Sequence, residues 1–265
     1  MTVEFGVEQN GSDILKENRI QELKNYIMAN ERASLDDLCT LFNVSKNTMR
    51  RDINELEKQA IIKKVYGGIV LNDKKTTEPF ESREEKNITS KQIIAKLASQ
   101  FVQDGDIIYI DSGTTTMHMI PHLAEIRNLT IITNNLNVIM GSLPYPNLNV
   151  LCTGGVLFRT TNSFVDMDAV NSLKKFNISK AFMASTGISI TKGITNSSSF
   201  EYDIKRYMVE NCDTVIVLAD DTKLGRVSLR TYWELKDIHV FITNELPGSE
   251  FVDFFESNNI KLITP

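Results

Sequence analysis

Three cysteines, three histidines and one tryptophan are all that this chain of 265 residues supplies, and each scarcity closes off a class of protein. Cys39, Cys152 and Cys212 are odd in number, far apart and in no CxxC pair. That spacing argues against a disulfide framework or a zinc site and for a reducing compartment. His118 and His122 stand four apart, a spacing that can place two metal ligands on one helical face. No third ligand accompanies them and Pro121 interrupts the segment, so neither a metal nor a cofactor is expected. No apolar run reaches the roughly 18 residues of a membrane span. The N-terminal MTVEFGVEQNGSD lacks the basic, apolar, small-residue order of a signal peptide. The expected location is cytoplasmic, with no membrane partner.

Catalytic patterns are also missing. No Ser-His-Asp or Cys-His arrangement has a spacing to support it. Asp220-Asp221 reads as the end of a strand, where neighbours point to opposite faces. Met117, Met119 and Met140 read as core rather than as a thioether site. There is no Walker A run and no GxGxxG.

What is present is an ordinary globular composition, 42 % hydrophobic and 24 % charged, long enough for one large or two small domains. The net charge of −5 argues against indiscriminate coating of nucleic acid, but local charge decides binding. Between Lys46 and Lys64, six positive side chains oppose three negative ones, a local net of +3.

That segment lies in SLDDLCTLFNVSKNTMRRDINELEKQAIIKKVYGG, Ser34 to Gly68. Ser34 suits an N-cap, with Asp36 and Asp37 in the first turn. Leu35, Leu38, Leu41 and Phe42 recur at helical spacing, and Asn43 tolerates a left-handed turn. Ser45 caps a second helix whose apolar face is Met49, Ile53 and Leu56. Asn47, Arg50, Arg51 and Asn54 point the other way. Arg reads guanine bidentately and Asn reads adenine, and a helix–turn–helix puts its second helix in the major groove. Ile61–Val70 around Gly67-Gly68 reads as a hairpin, with Lys63 and Lys64 suited to phosphates.

VSKNTMRRDINELEK followed by KKVYGG resembles the winged-helix signature of the DeoR-type repressors. Ala60 stands where members usually have Gly, and Tyr66 where many have His. The resemblance implies a DNA-binding set of Ser34, Ser45, Lys46, Asn47, Thr48, Arg50, Arg51, Asn54, Lys63, Lys64 and Tyr66. Double-stranded operator DNA is the expected partner. A single winged helix reads few base pairs, and two symmetric half-sites imply a homodimer or homotetramer.

Along the chain, residues 1–15 read as a tail and 16–71 as the winged helix–turn–helix domain, with Ile20, Leu23, Ile27 and Met28 marking its first helix. NDKKTTEP opens a linker over 72–82. Residues 83–265 read as an α/β domain, beginning with a helix over Arg83–Val102 that joins the two domains. Strands are expected at Ile107–Ile110, Leu129–Ile132, Leu148–Leu151, Ala181–Ala184, Val215–Ala219, His239–Ile242 and Ile260–Ile263. Helices are expected near Thr115–Leu123, Asn135–Gly141, Asp168–Phe176, Phe200–Asn211 and Ser249–Ser257. The alternation predicts a mostly parallel sheet in layers.

Ligands of such sheets sit beyond the C-terminal ends of the strands. There the sequence places Asp111-Ser112-Gly113-Thr114-Thr115-Thr116, whose hydroxyls and helix-start N–H groups suit a phosphate. Thr133-Asn134-Asn135, Thr153-Gly154-Gly155, Thr186-Gly187 and Asp220–Lys223 follow other strands. Glu201 and Lys205 lie one turn apart, either facing a ligand or forming a surface pair. A hydroxyl-rich loop of this kind suits a phosphorylated polyol, and Gly113→Asp is expected to block its entry.

DSGTTT, TNN, TGG, FEYDIKRYM and ADDTKLG resemble the sensor-domain motifs of the same family, whose fold resembles ribose-phosphate isomerase and CoA transferases. The resemblance implies a sugar-phosphate effector. Asp111, Ser112, Gly113, Thr114, Thr115 and Thr116 would form the phosphate loop, Asn134, Gly154 and Gly155 the pocket wall, and Glu201, Lys205 and Lys223 further contacts. FNVSKNT, VYGG, FMASTG and GITNS are similar to members that repress myo-inositol catabolism. Asp166 departs from the Gly usual in the family. The alternative is a sugar-phosphate isomerase or transferase carrying a DNA-binding appendage, which fold alone does not separate. An RNA-binding regulator would need a stacking platform of aromatics that the basic face lacks.

Overall fold

The computed structural model describes residues 11–30, 32–59, 61–72 and 77–265, and the chain divides after Asn72 into two compact units. In the first unit α1 (Gly11–Asn30) is followed by β1 (Arg32–Ser34), α2 (Leu35–Leu41), α3 (Lys46–Lys58), β2 (Ile62–Val65) and β3 (Gly68–Leu71). The Ser34 hydroxyl accepts the Asp37 N–H at the start of α2, and the Ser45 hydroxyl accepts the Thr48 N–H at the start of α3. Each cap satisfies a donor that the helix leaves unpaired, worth about 1 kcal/mol. Asn43 turns the chain between them at φ 49°. α3 docks through Met49, Ile53 and Leu56, all buried, at about 1.5–3 kcal/mol for each apolar side chain removed from water. Arg19 of α1 holds the buried Asp52 of α3 at 2.6 Å.

The small sheet is antiparallel in the order β1-β3-β2. β1 was not legible in the sequence. It packs so closely on β3 that a Cβ at Gly68 would stand 2.2 Å from the Ala33 carbonyl oxygen, whereas Gly67 serves the turn at φ 80°. Residues 11–15, expected in the tail, are helical; residues 1–10 and Ala60 lie outside the described residues. Leu41, expected on the apolar face of α2, is 56 % exposed.

The second unit runs α4 (Phe80–Glu84), α5 (Ile88–Ser99), β4 (Ile107–Ile110), β5 (Thr130–Thr133), α6 (Leu136–Ser142), β6 (Asn149–Cys152), β7 (Val156–Phe158), β8 (Ser163–Val165) and α7 (Met167–Leu173). It continues β9 (Lys180–Ala184), β10 (Gly187–Ser189), β11 (Gly193–Asn196), α8 (Tyr202–Glu210), β12 (Thr214–Leu218), β13 (Arg230–Trp233), β14 (Val240–Ile242), α9 (Ser249–Ser257) and β15 (Lys261–Ile263). All seven expected strands form, their ends within one residue, in one sheet of order β15-β14-β12-β9-β4-β5-β6. Every pairing in it is parallel. Its core is aliphatic, with Ile94 and Ala98 of α5 in the same buried cluster as Ile108, Ile110, Phe182, Ile216 and Leu218.

From β4 the chain builds outward to β5 and β6, then returns to place β9 on the other side of β4. This reversal opens a crevice beyond the ends of β4 and β9, the place where open α/β sheets bind ligands.

Several local expectations fail for identifiable reasons. The single helix over Arg83–Val102 is two helices, because Asn87 sits at φ 52° between α4 and α5. α4 begins at Phe80, fully buried, inside the stretch expected to be linker; residues 73–76 lie outside the described residues. Thr116–Leu123 is a 3-10 segment interrupted by Pro121. The hairpin β7-β8 and the antiparallel sheet β10-β11-β13 were not anticipated, their strands being only three or four residues long. Met140 is 57 % exposed rather than core, while Met119 is fully buried.

Candidate functional site

On the first unit, α3 presents Asn47, Arg50, Arg51 and Asn54 to solvent while its other side is buried. The three acids of this segment are all engaged. Asp52 holds Arg19, Glu55 holds Lys16 at 2.7 Å, and Glu57 holds Lys64 at 2.5 Å. Hydrogen bonds from Lys64 lower the Glu57 pKa. Among the described residues Arg50, Arg51 and Lys63 have no carboxylate partner, so the face is more positive than its composition suggests. Lys46 pairs with Asp36 at 2.6 Å. Ser34, Ser45 and Thr48 are occupied in capping, Ser45 Oγ lying 3.0 Å from Thr48 Oγ1. Tyr66 stands fully exposed at the tip of the hairpin. Of the two wing lysines, Lys63 has no carboxylate partner among the described residues and Lys64 braces the wing on α3.

On the second unit, a cleft opens at the sheet reversal. The loop after β4 contributes Gly113, Thr114 and Thr115; the loop after β9 contributes Ser185 and Thr186; the turn after β12 contributes Asp220 and Lys223. Arg83, Lys86, Asn87 and Lys91 come from α4, the break after it and α5. Four cations and one carboxylate therefore line it, and of the cations Lys86 is already paired with Glu78 at 2.5 Å. Burial lowers the Lys91 pKa to about 8, with Asp220 opposing the shift and Lys223 and Arg83 adding to it. Lys91 Nζ donates to the carbonyl oxygens of Arg83 and Glu84, closing the end of α4.

Among the described residues, three buried polar atoms in this cleft lack a partner: Arg83 Nη2, Ser185 Oγ and Asp220 Oδ2. Buried polar groups are nearly always satisfied, so two donors and one acceptor stand ready for a ligand. The other Asp220 oxygen is used, accepting from Asn87 Nδ2 at 3.3 Å and from the Thr222 N–H at 3.1 Å. Asp220 and Asp221 are not strand neighbours, since β12 ends at Leu218; Asp220 caps a 3-10 turn, and Asp221 accepts from Asn244 Nδ2 at 2.9 Å.

The remaining members of the expected phosphate set lie behind the cleft. Ser112 Oγ donates to Glu201 at 2.7 Å, as does Ser163 Oγ at 2.9 Å and Asn196 Nδ2 at 2.9 Å. Burial pushes Glu201 up, but the Lys205 charge and the Ser112 and Asn196 hydrogen bonds outweigh it and lower its pKa. Lys205 Nζ is bonded to the Asp111 carboxylate and to the Ala184 carbonyl oxygen. Glu201 and Lys205 are thus neither a surface pair nor cleft residues: both are buried and each is tied elsewhere. Thr116 Oγ1 donates to the carbonyl oxygens of Asp111 and Gly113, clamping the loop from within. Asn134 accepts from Tyr109 OH at 2.8 Å. Gly154 and Gly155 take φ 69° and 104° in the turn from β6 to β7 and do not line the cleft.

Asp166 sits at φ 103° and caps α7 through Asp168 N–H and Ala169 N–H. The positive φ is why Gly suits this place; here a strained backbone is offset by a good cap. The sequence reading missed Arg83, Lys86, Asn87, Lys91 and Ser185. The signal was the spacing of R-x-x-K-N-x-x-x-K ahead of the first strand of the large sheet, masked by reading that segment as a connector.

Gly113 is held for packing rather than for ligand access alone. A Cβ there would lie 2.2 Å from Ala184 Cβ. Gly113→Asp is therefore a structural lesion, not a clean block of ligand entry. Gly113→Ala is expected to lower stability by about 1–3 kcal/mol, as overpacking does, read by urea unfolding; an unchanged midpoint would contradict the contact.

An unpaired basic helix face on a winged helix, and a cationic cleft at the switch point of a parallel sheet, together define a ligand-responsive transcriptional regulator. Two family models match the chain: a DeoR-like helix-turn-helix domain over residues 19–75 and a DeoR C terminal sensor domain over residues 86–245. The chain belongs to the DeoR family of transcriptional regulators, which are not enzymes, and the isomerase alternative is set aside. It is 42 % identical to the HTH-type transcriptional regulator IolR of Bacillus subtilis, over 93 % of this chain and 98 % of that one. It is 29 % identical to the HTH-type transcriptional repressor GlcR of the same organism, over 94 % and 96 %. Ribose 5-phosphate isomerase A from Methanocaldococcus jannaschii aligns with 52 % of this chain and 55 % of its own at 19 % identity and a TM-score of 0.40. Among the described residues no His, Cys, Asp or Glu cluster could hold a metal, and no helix is long and apolar enough to cross a membrane.

Proposed function

We propose that this regulator represses a carbohydrate catabolic operon, that of myo-inositol, and leaves its operator when a phosphorylated polyol enters the cleft beyond β4 and β9. The observation that carries the proposal is the cleft itself: Arg83, Lys91 and Lys223 against one carboxylate, beside Lys86, which Glu78 already holds, with two donors and one acceptor unpartnered among the described residues. A phosphate satisfies the cations and the donors. Asp220 Oδ2 takes a hydroxyl, which a bare phosphate dianion cannot offer. Motif spellings shared with repressors of inositol catabolism, and the 42 % identity to IolR, support the choice of pathway. Reading two half-sites makes the working form a homodimer or homotetramer.

The test is release from operator DNA, titrated with phosphorylated and unphosphorylated inositol-pathway intermediates. Only the phosphorylated ones should release it. Arg83→Ala and Lys223→Ala should each weaken the effector by about 10-fold or more, the scale of a charge-assisted hydrogen bond, and leave operator affinity unchanged. Equal release by unphosphorylated compounds would overturn the phosphate assignment.

Proton linkage gives an independent check. A dianion favours the charged form of Lys91, so binding raises its pKa from about 8 and takes up a proton. Effector affinity should therefore be full below pH 8, as far down as the phosphate stays a dianion (second pKa about 6), and decline as pH rises beyond 8. Calorimetry in buffers of different ionisation heat at pH 8–8.5 should detect the uptake.

A further inference from the structure

We infer that the β6 edge of the large sheet, together with the exposed side of α6, is the surface through which two copies of this chain associate. The inference deepens the regulator proposal, which calls for a homo-oligomer without naming a surface. From Asn128 to Phe158 the sequence holds no Asp, Glu, Lys, Arg or His, in a chain that is 24 % charged. This stretch contains β5, α6, β6 and β7, including positions that are not buried. Met140 is 57 % exposed and Leu143 70 % exposed, on and just beyond α6, and Cys152 is exposed at the end of β6. β6 pairs with β5 alone and is the last strand of its sheet.

A bare edge strand is a template for pairing, and proteins blunt such edges with lysines, inward charges, bulges or covering elements. β6 carries none of the charged devices. Asn149 N–H is bonded to the Leu129 carbonyl oxygen and Thr153 N–H to that of Thr133. By the alternation of a ladder, the N–H and C=O groups of Val150 and Cys152 therefore point outward. At the other edge, β15 begins with Lys261, one of the charged devices that β6 lacks.

The occupant is a second copy rather than a different protein for two reasons. An uncharged surface excludes a strongly charged partner, because nothing on it would compensate that partner's desolvated charges. A copy brings the same neutral strand, and antiparallel pairing about a two-fold axis joins Val150 and Cys152 of each chain to Cys152 and Val150 of the other. Such an isologous contact is self-complementary and closed, the commonest form of homo-oligomer.

The test uses the full chain without DNA or effector. Sedimentation velocity at micromolar concentration should show the wild type as a dimer or tetramer. Leu143→Glu with Cys152→Glu, both at exposed positions, should lower the assembly by at least one step, with circular dichroism unchanged. In a parallel measurement on the wild type, labelling of Cys152 by a thiol reagent, located by peptide mapping, should slow at least 10-fold between nanomolar and micromolar protein. A monomeric wild type, a doubly charged variant that assembles as the wild type does, or a Cys152 labelling rate independent of concentration would each overturn the assignment. If the charged variant still assembles, and the wild type still binds operator and responds to phosphorylated polyol, only this surface is wrong and the regulator proposal stands.

Discussion

Lys205→Met is expected to remove about 3–5 kcal/mol of stability, the usual consequence of stripping one partner from a buried ion pair. Lys205 and Asp111 are both buried, their side chains 3 % and 0 % exposed. The lysine also donates to the Ala184 carbonyl oxygen at 3.1 Å and lies 5.5 Å from the Tyr232 ring centre. Asp111 accepts the Ala184 N–H at 2.9 Å, which alone does not replace the lost cation. The pair joins the end of β4 to the end of β9, the two neighbouring strands beyond whose ends the cleft opens. It is thus a positioning device for Gly113–Thr115 and Ser185, not a ligand contact. Trp233 is the sole tryptophan and lies in β13 of this unit, so its fluorescence reports the urea transition. Asp111→Asn combined with Lys205→Met should recover part of the loss, because Asp111 then no longer carries an unpaired charge, while Glu201 still lacks the Lys205 charge that lowers its pKa. A single variant that loses less than about 1 kcal/mol would contradict the buried pair.

The same substitution should change acid stability. Glu201 has a lowered pKa, burial notwithstanding, because of Lys205, Ser112 and Asn196. Its contribution is present above the ordinary glutamate pKa of about 4.3 and is lost as pH falls through the lowered folded value. Without Lys205 the folded value rises, so acid unfolding should begin at higher pH. An acid transition at the wild-type pH would count against that coupling.

The elements that could be read from sequence are those with a strong period or a strong cap. α3 has both Ser45 and the Met49, Ile53, Leu56 stripe. The seven sheet strands are continuous apolar runs, as buried parallel strands must be. β1, β7 and β10 carry no such signal, being three residues long and placed by tertiary pairing. The candidate cleft was half legible. Gly113–Thr115 and Lys223 follow strands and were named, but Arg83, Lys86 and Lys91 precede the first strand and enter only because the chain breaks at Asn87. Asp111, Glu201 and Lys205 were named for the right neighbourhood and the wrong exposure. Sequence shows that polar groups converge at a sheet edge; only the folded chain shows which of them are already bonded to one another.

Arg50→Ala with Arg51→Ala should weaken operator binding by roughly 2–6 kcal/mol, on the order of 30-fold to 10⁴-fold, if each guanidinium reads a base at about 1–3 kcal/mol. The two arginines are exposed on α3 and have no carboxylate partner among the described residues, so their removal leaves no buried charge behind and should not unfold the domain. Adjacent positions couple, which is why the range is wide. Lys63→Ala should behave differently. It lies on the wing, exposed and with no carboxylate partner among the described residues, and phosphate contact would make its loss uniform across sequences and lower the salt slope by about one unit. Lys64→Ala is expected to cost little by that route, because Glu57 already holds the ammonium; its effect should appear in the seating of the wing on α3. Fluorescence anisotropy on operator and scrambled duplexes, from 50 to 200 mM salt, separates these outcomes. An arginine double variant with unchanged discrimination between the two duplexes would remove α3 from the major groove.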